Sequence, residues 1–113
     1  MSDCLFCRII SGEIPGKKVY EDEEALAIYD IAPAAPVHIL VMPKVHLTSI
    51  GEASDEQLAI IGRLHGIMRD LAVKLGLKDG YRIVNNCGEQ GGQTVPHLHF
   101  HLLGGRSLKW PPG

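Results

Sequence analysis

Residues His97-Leu98-His99-Phe100-His101-Leu102 alternate imidazole and hydrocarbon without a break. That period of two restricts the chain more than any other feature, because alternate side chains separate onto opposite faces in an extended strand. Leu98, Phe100 and Leu102 then enter a core, and three imidazoles line the other face, about 6.6 Å apart at each step. A solvated face would be served as well by Thr, Lys or Glu. Imidazole does what they do not near neutral pH: it takes or gives a proton, attacks an electrophile or binds a metal. The chain has six histidines in 113 residues, and three of them fall in this one segment.

The remaining pattern predicts strands around one long helix. Asp3 is placed to cap a short helix from Cys4 to about Ile10, which Gly12 and Pro15 end. Lys18 to Glu21 and Ala25 to Tyr29 read as strands joined by the acidic turn Asp22-Glu23-Glu24, an antiparallel hairpin. Val37 to Met42 is a third, apolar strand, stopped by Pro43. Ser54 and Gln57 have capping-box spacing, and Leu58, Ile61, Leu64, Met68, Leu71 and Leu75 recur at helical intervals up to Gly76. Gly62 and Gly66 lie four apart in that helix, either as a tolerated cost of about 1 kcal/mol each or as a place where another backbone packs closely. Tyr81 to Asn86 is a fourth strand, and a fifth carries the histidines. The early connections are too short for parallel crossovers, so the prediction is an α+β fold: a five-stranded antiparallel sheet packed with one long and one short helix.

Composition removes several classes of function. The chain has room for one domain, residues 1–113. With 45% hydrophobic and 21% charged residues, there is enough apolar surface to offset the entropy of ordering. A net charge of −2 gives no general attraction for phosphate backbones, so a nucleic-acid partner is not expected. No apolar run approaches the roughly 20 residues that span a bilayer. The start Met1-Ser2-Asp3-Cys4 carries no secretory signal, and three cysteines make too few for a disulfide framework, so the expected compartment is the cytoplasm.

The imidazole strand admits two chemistries. Alternate histidines can converge on a zinc ion that keeps an open position. Alternatively, one is a covalent nucleophile whose neighbours fix its tautomer and handle protons. The preceding loop, Cys87-Gly88-Glu89-Gln90-Gly91-Gly92-Gln93-Thr94, favours the second. Its glycines let backbone N–H groups turn toward an anion, with Gln93 and Thr94 as neutral donors. A phosphate beside an imidazole points to nucleotidyl or phosphoryl transfer.

His97-Leu98-His99-Phe100-His101-Leu102-Leu103 resembles the histidine-triad motif of the HIT family. The resemblance extends through Ile14-Pro15, Asp30-Ile31-Ala32-Pro33 with Pro36 and His38, and Gly91-Gly92-Gln93. The ending Gly104-Gly105-Arg106 with Trp110-Pro111-Pro112-Gly113 resembles the Hint branch, the purine nucleoside phosphoramidases.

That resemblance implies roles for individual residues. His99 would attack the α-phosphorus of a nucleotide, forming a nucleotidyl-imidazole that water hydrolyses. His38 and His101 would flank it, setting tautomers and spreading developing charge. Thr94 stands where the Hint branch commonly has serine, with a hydroxyl that assists the leaving amine. Asn86, Gly92 and Gln93 would lie near the phosphate. Asp30 would accept hydrogen bonds from the ribose hydroxyls; on residue type alone it is also a loop cap before Pro33. Leu5, Phe6, Ile9, Ile28 and Ile31 would wall the base pocket. Few polar groups would face the base, so adenine and guanine would both be accepted. Trp110 would reach the neighbouring pocket of a homodimer, or else pack on its own subunit.

No cofactor is required for such catalysis. The resemblance does imply a structural zinc held by Cys4, Cys7, His46 and His97, although the Cys-x-x-Cys pair by itself also reads as small buried residues or a redox pair. Cys87 has no assigned role, and His65 is read as structural. The implied reaction is cleavage of the P–N bond of purine nucleoside 5′-phosphoramidates, such as adenosine 5′-monophosphoramidate or lysyl-AMP adducts. Dinucleoside polyphosphate hydrolysis and a non-catalytic zinc- and nucleotide-binding module are the alternatives.

Overall fold

The expected order of elements forms in the computed structural model, which describes residues 3–113. Helix α1 spans Leu5–Ile10, followed by strands β1 (Lys18–Glu21), β2 (Ala25–Tyr29) and β3 (Val37–Pro43). A single turn of 3-10 helix at Ile50–Glu52 leads to the long helix α2 (Leu58–Lys74), and then come β4 (Tyr81–Val84) and β5 (Phe100–Gly104). The strands make one antiparallel sheet in the order β1-β2-β3-β5-β4. The predicted α+β fold, with its one long and one short helix, is the fold observed.

Local chemistry explains the secure elements. At the β1–β2 turn, Asp22 Oδ1 accepts from the N–H groups of Glu24 and Ala25, both at 2.8 Å. Arg63 of α2 ties the same turn down, reaching Asp22 and Glu24 at 2.7 Å each. The capping box forms: Gln57 N–H donates to Ser54 Oγ, and Ser54 N–H donates to Gln57 Oε1 at 2.9 Å. At the far end Gly76 adopts φ +76. Its N–H donates to Val73 O, and Leu77 N–H donates to Ala72 O, the paired bonds of a Schellman stop that favours a residue without Cβ.

Strand β3 is central and covered on both sides, which is why it reads as an almost continuous apolar run. One face of the sheet (Ala25, Ala27, Ile39, Val41, Phe100, Leu102) takes the apolar stripe of α2, from Ile61 through Leu71. The other face (Leu26, Ile28, Leu40, Met42) takes Cys4, Phe6 and Ile9 from α1 and the residue before it. Among the described residues no helix is long and apolar enough to cross a membrane.

Several boundaries differ from the sequence expectation. Cys4, not Asp3, caps α1, and its sulfur accepts the Cys7 N–H at 3.3 Å. Strand β4 stops at Val84 rather than Asn86, and β5 begins at Phe100 rather than His97. The two shortenings share a cause. The last β4–β5 pair is Val84 with His101, so residues 97–99 have no strand beside them on that side. Their backbone is held by other groups instead. His97 N–H donates to Val95 O and Leu98 N–H to Leu47 O, and Asn85 Nδ2 donates to His99 O at 2.9 Å. Leu58 is exposed rather than part of the α2 stripe. Among the described residues nothing packs closely on Gly62 or Gly66; a Cβ at Gly62 would meet no atom within 4 Å.

Candidate functional site

The triad histidines lie beneath α1, and the helix divides them between two centres. His97 and His99 are buried, at 0% and 6% exposure. The Phe6 ring stands edge-on to both, 5.9 Å and 4.9 Å from their centroids. Phe6 is therefore a partition: His97 faces a cysteine pair on one side, and His99 faces a cavity on the other.

The tautomer of His99 follows from its neighbours. Its Nδ1 lies 2.7 Å from the carbonyl oxygen of His97. A carbonyl only accepts, so Nδ1 carries the hydrogen and Nε2 keeps its lone pair. His38 and His101 are fixed by the same logic. The backbone N–H of Ala34 donates to His38 Nδ1 at 3.0 Å, which leaves the hydrogen on Nε2. That nitrogen lies 2.9 Å from His101 Nδ1, so His101 accepts there and carries its own hydrogen on Nε2. The result is a relay that ends in a neutral N–H donor beside the ring of His99, 5.1 Å between centroids.

Burial, followed by the neighbouring His99 and His38, pushes His101 down to about 4, with Asp30 opposing. Burial also lowers His38, again opposed by Asp30. Both rings are neutral at pH 7. Asp30 stands at this end of the site: Oδ1 accepts the Ala32 N–H at 2.8 Å, and Oδ2 lies 3.4 Å from His38 Nε2. The loop-capping reading of Asp30 is met by the Ala32 hydrogen bond, and the same side chain approaches His38.

A cavity of about 300 Å³ opens beside these groups. Its lining brings together Leu5, Phe6, Ile9, Ile28 and Ile31 with Asp30, Thr94, His99 and His101. Ile14, Lys17, Tyr29, Leu40 and Val95 line it too and were missed in the sequence. Only the folded cavity reveals them, because a lysine before a strand looks like any surface lysine. Other expected residues lie outside this cavity. Asn86 Nδ2 donates to Gly92 O at 3.2 Å, and Gln93 is spent on the loop, accepting from Gly88 N–H and donating to Thr48 O and Val95 O. The loop N–H groups of Gly92 and Gln93 donate within the loop, to Glu89 O and Gly88 O. It is thus a closed turn rather than an open cradle of N–H groups. Trp110 is 81% exposed, and the tail just before it is strapped to β4 by Arg82, which donates to the carbonyls of Leu108 and Lys109.

The second centre contains Cys4, Cys7, His46 and His97, whose donor atoms all lie within 4.8 Å of one another. His97 Nε2 donates to the Pro43 carbonyl at 2.8 Å, so its Nδ1 presents a lone pair to the cluster. That Nδ1 lies 3.2 Å from His46 Nδ1, 3.3 Å from Cys4 Sγ and 3.5 Å from Cys7 Sγ; His46 Nδ1 and Cys7 Sγ are 3.3 Å apart. Tetrahedral zinc with its usual Zn–N and Zn–S lengths places ligand atoms about 3.3–3.8 Å apart. The donor set and the spacing fit the ion. A second group, Asp30, His38 and His101, also has ligand-type atoms close together. Its ring nitrogens already hydrogen-bond to one another and to Ala34.

The antiparallel sheet with paired imidazoles on β3 and β5, and the buried imidazole just ahead of β5, define a histidine-triad domain. The HIT domain family matches residues 11–108, and the chain belongs to that family. It is 54% identical over 111 residues to a HIT-like protein of Synechococcus elongatus, covering 98% of this chain and 97% of the relative. It is 49% identical over 114 residues to the 14 kDa zinc-binding protein of Zea mays, covering 99% and 89%. The crystal structure of a HIT family hydrolase from Legionella pneumophila superposes with a TM-score of 0.96 at 46% identity, covering 98% of this chain and all of that one.

Proposed function

We propose that the chain is a cytoplasmic hydrolase that cleaves the P–N bond of purine nucleoside 5′-phosphoramidates, releasing AMP or GMP and an amine. The observation that carries this reading is the hydrogen bond from His99 Nδ1 to the His97 carbonyl at 2.7 Å. It leaves the Nε2 lone pair of a cavity-lining imidazole as the nucleophile. As Nε2 bonds to phosphorus the ring becomes cationic, and the same carbonyl stabilises the hydrogen on Nδ1. The P–N bond breaks, and the departing nitrogen takes a proton from the Thr94 hydroxyl. Water then attacks phosphorus and gives its proton back to the Thr94 oxygen, the Nε2–P bond breaks, and the lone pair returns to His99. His101, held neutral, donates its Nε2 hydrogen to a phosphoryl oxygen throughout. Asp30 accepts from the ribose hydroxyls in this reading, and Leu5, Phe6, Ile9, Ile28 and Ile31 surround the base. Asn86, Gly92 and Gln93 shape the loop on the phosphate side.

Cys4, Cys7, His46 and His97 would hold a zinc ion, and the chemistry it supplies is structural cross-linking of four protein ligands. The same residues pin α1, and with it Phe6, against the segment that carries His99. The open flank at Gly62 and Gly66 leaves room for a second copy of α2 in a homodimer, with exposed Trp110 near the neighbouring site.

The test is turnover of adenosine 5′-monophosphoramidate by His99→Ala alongside AMP binding. The variant should bind AMP and lose turnover by at least about a thousandfold, as expected for loss of a covalent nucleophile. Unchanged turnover overturns the assignment. Faster turnover of a diadenosine polyphosphate would move it to that substrate class. The Cys/His cluster and the zinc-binding maize relative favour one further reading, a zinc- and nucleotide-binding module without catalysis, which predicts no turnover in the parent protein.

A further inference from the structure

The cavity crosses the sheet in a definite direction. His101 pairs with Leu40, Leu40 with Ile28, and Ile28 with Lys18. This row runs from the imidazoles on β5 to the outer edge of the sheet. Three strand spacings make it about 14 Å long, comparable to an extended nucleoside monophosphate. With the phosphorus at His99 and the ribose at Asp30, the base extends toward the β1 edge, where Lys17 and Tyr29 line the cavity.

Lys17 is held there in a defined way. The Tyr29 N–H donates to the Lys17 carbonyl at 3.0 Å, and the Lys17 ammonium lies over the Tyr29 ring, 5.2 Å from its centroid. Its neighbour Lys18 is paired with Glu21 at 2.9 Å, as is Lys44 at 2.8 Å. Among the described residues no carboxylate pairs with Lys17. Within the cavity lining the other charged or titratable groups are Asp30 and the two imidazoles, together with the Tyr29 phenol. The base end is therefore hydrocarbon with one ammonium at its rim.

An ammonium has three donors and no acceptor. It bonds well to the adjacent O6 and N7 acceptors of a 6-oxopurine, whereas a 6-aminopurine offers N7 beside a competing donor. We propose that Lys17, supported by Tyr29, selects purines with a carbonyl at position 6, so that guanine and hypoxanthine nucleotides are bound in preference to adenine nucleotides. This deepens the nucleotide-hydrolase reading above and rests on it.

IMP and AMP isolate the feature, since their bases differ at position 6 and the adjoining N1 proton. Titration calorimetry of the intact protein should give a dissociation constant for IMP roughly five-fold or more below that for AMP. Lys17→Met should remove the difference by weakening IMP more than AMP, and Lys17→Arg should keep it. Equal affinities in the parent protein, or a ratio that survives Lys17→Met, overturn the selection by Lys17 while leaving the pocket intact. Absence of binding by either nucleotide overturns the pocket reading and this inference together. Circular dichroism of the variants separates a recognition effect from a folding defect.

Discussion

His97 and His99 are joined by a 2.7 Å hydrogen bond from the ring of the second to the carbonyl of the first. The residue whose ring enters the Cys/His cluster thus also fixes the protonation of the ring in the cavity. A change at the cluster reaches the His99 ring through one peptide unit and through Phe6, which touches both rings.

Chelation is accordingly expected to act on both stability and nucleotide affinity. The purified protein should contain about one zinc per chain. Stripping it should lower the melting temperature by about 10 °C or more, since the ligands tie α1 to a distant part of the chain. AMP affinity should fall at the same time. Calorimetry before and after adding back zinc checks both effects. Cys4→Ser should reproduce them without chelator.

Breaking the relay should separate catalysis from binding. His38→Ala removes the group that fixes the His101 tautomer. The expected result is a fall in kcat of about ten- to a hundredfold, or about 1.4–2.8 kcal/mol, with AMP affinity nearly unchanged. Nitrogen NMR of the His101 ring should show the loss of a single tautomer.

Acidification should destabilise the fold through His101. Its imidazole is held near 4 in the native protein by burial and by His99 and His38, against about 6.5 in an unfolded chain. The unfolded state therefore binds more protons below pH 6.5, and stability present above that pH is lost as pH falls toward 4. The slope is at most about 1.4 kcal/mol per pH unit for this one group, a ceiling because the ring is partly exposed. Denaturant titrations at pH 7 and pH 5 should show a smaller loss in His101→Gln than in the parent.

Asn85 replaces a missing strand partner by holding the His99 carbonyl at 2.9 Å. Asn85→Ala should cost about 1 kcal/mol of stability and lower kcat roughly tenfold, because a small displacement of His99, the proposed nucleophile, is costly. KM should change little. Asn85→Asp, which lacks the donor, should behave like alanine in kcat.

Legibility in the sequence followed the range of the interactions. The hairpin at Asp22, the capping box of Ser54 and Gln57 and the stop at Gly76 are settled within a few residues, and each forms as read. The α2 stripe was legible because its period comes from the helix itself, and β3 because a strand covered on both faces has no polar alternation. The start of β5 was not, since it depends on β4 ending opposite His101, a pairing between residues far apart in sequence. The loop was misread for a similar reason: its glycines allow an open cradle, but the Gln93 amide closes it onto Thr48 and Val95. Lys17 became visible only in the folded cavity, where its ammonium lies over the Tyr29 ring.

That closed loop has a thermodynamic meaning for any ligand that enters. A turn already stapled by its own amide has little disorder left to surrender, so the Thr94 it carries into the cavity lining meets a ligand with little entropic penalty. Preorganisation of this kind lets a small domain spend its modest interaction energy on discriminating among ligands rather than on assembling the site that receives them.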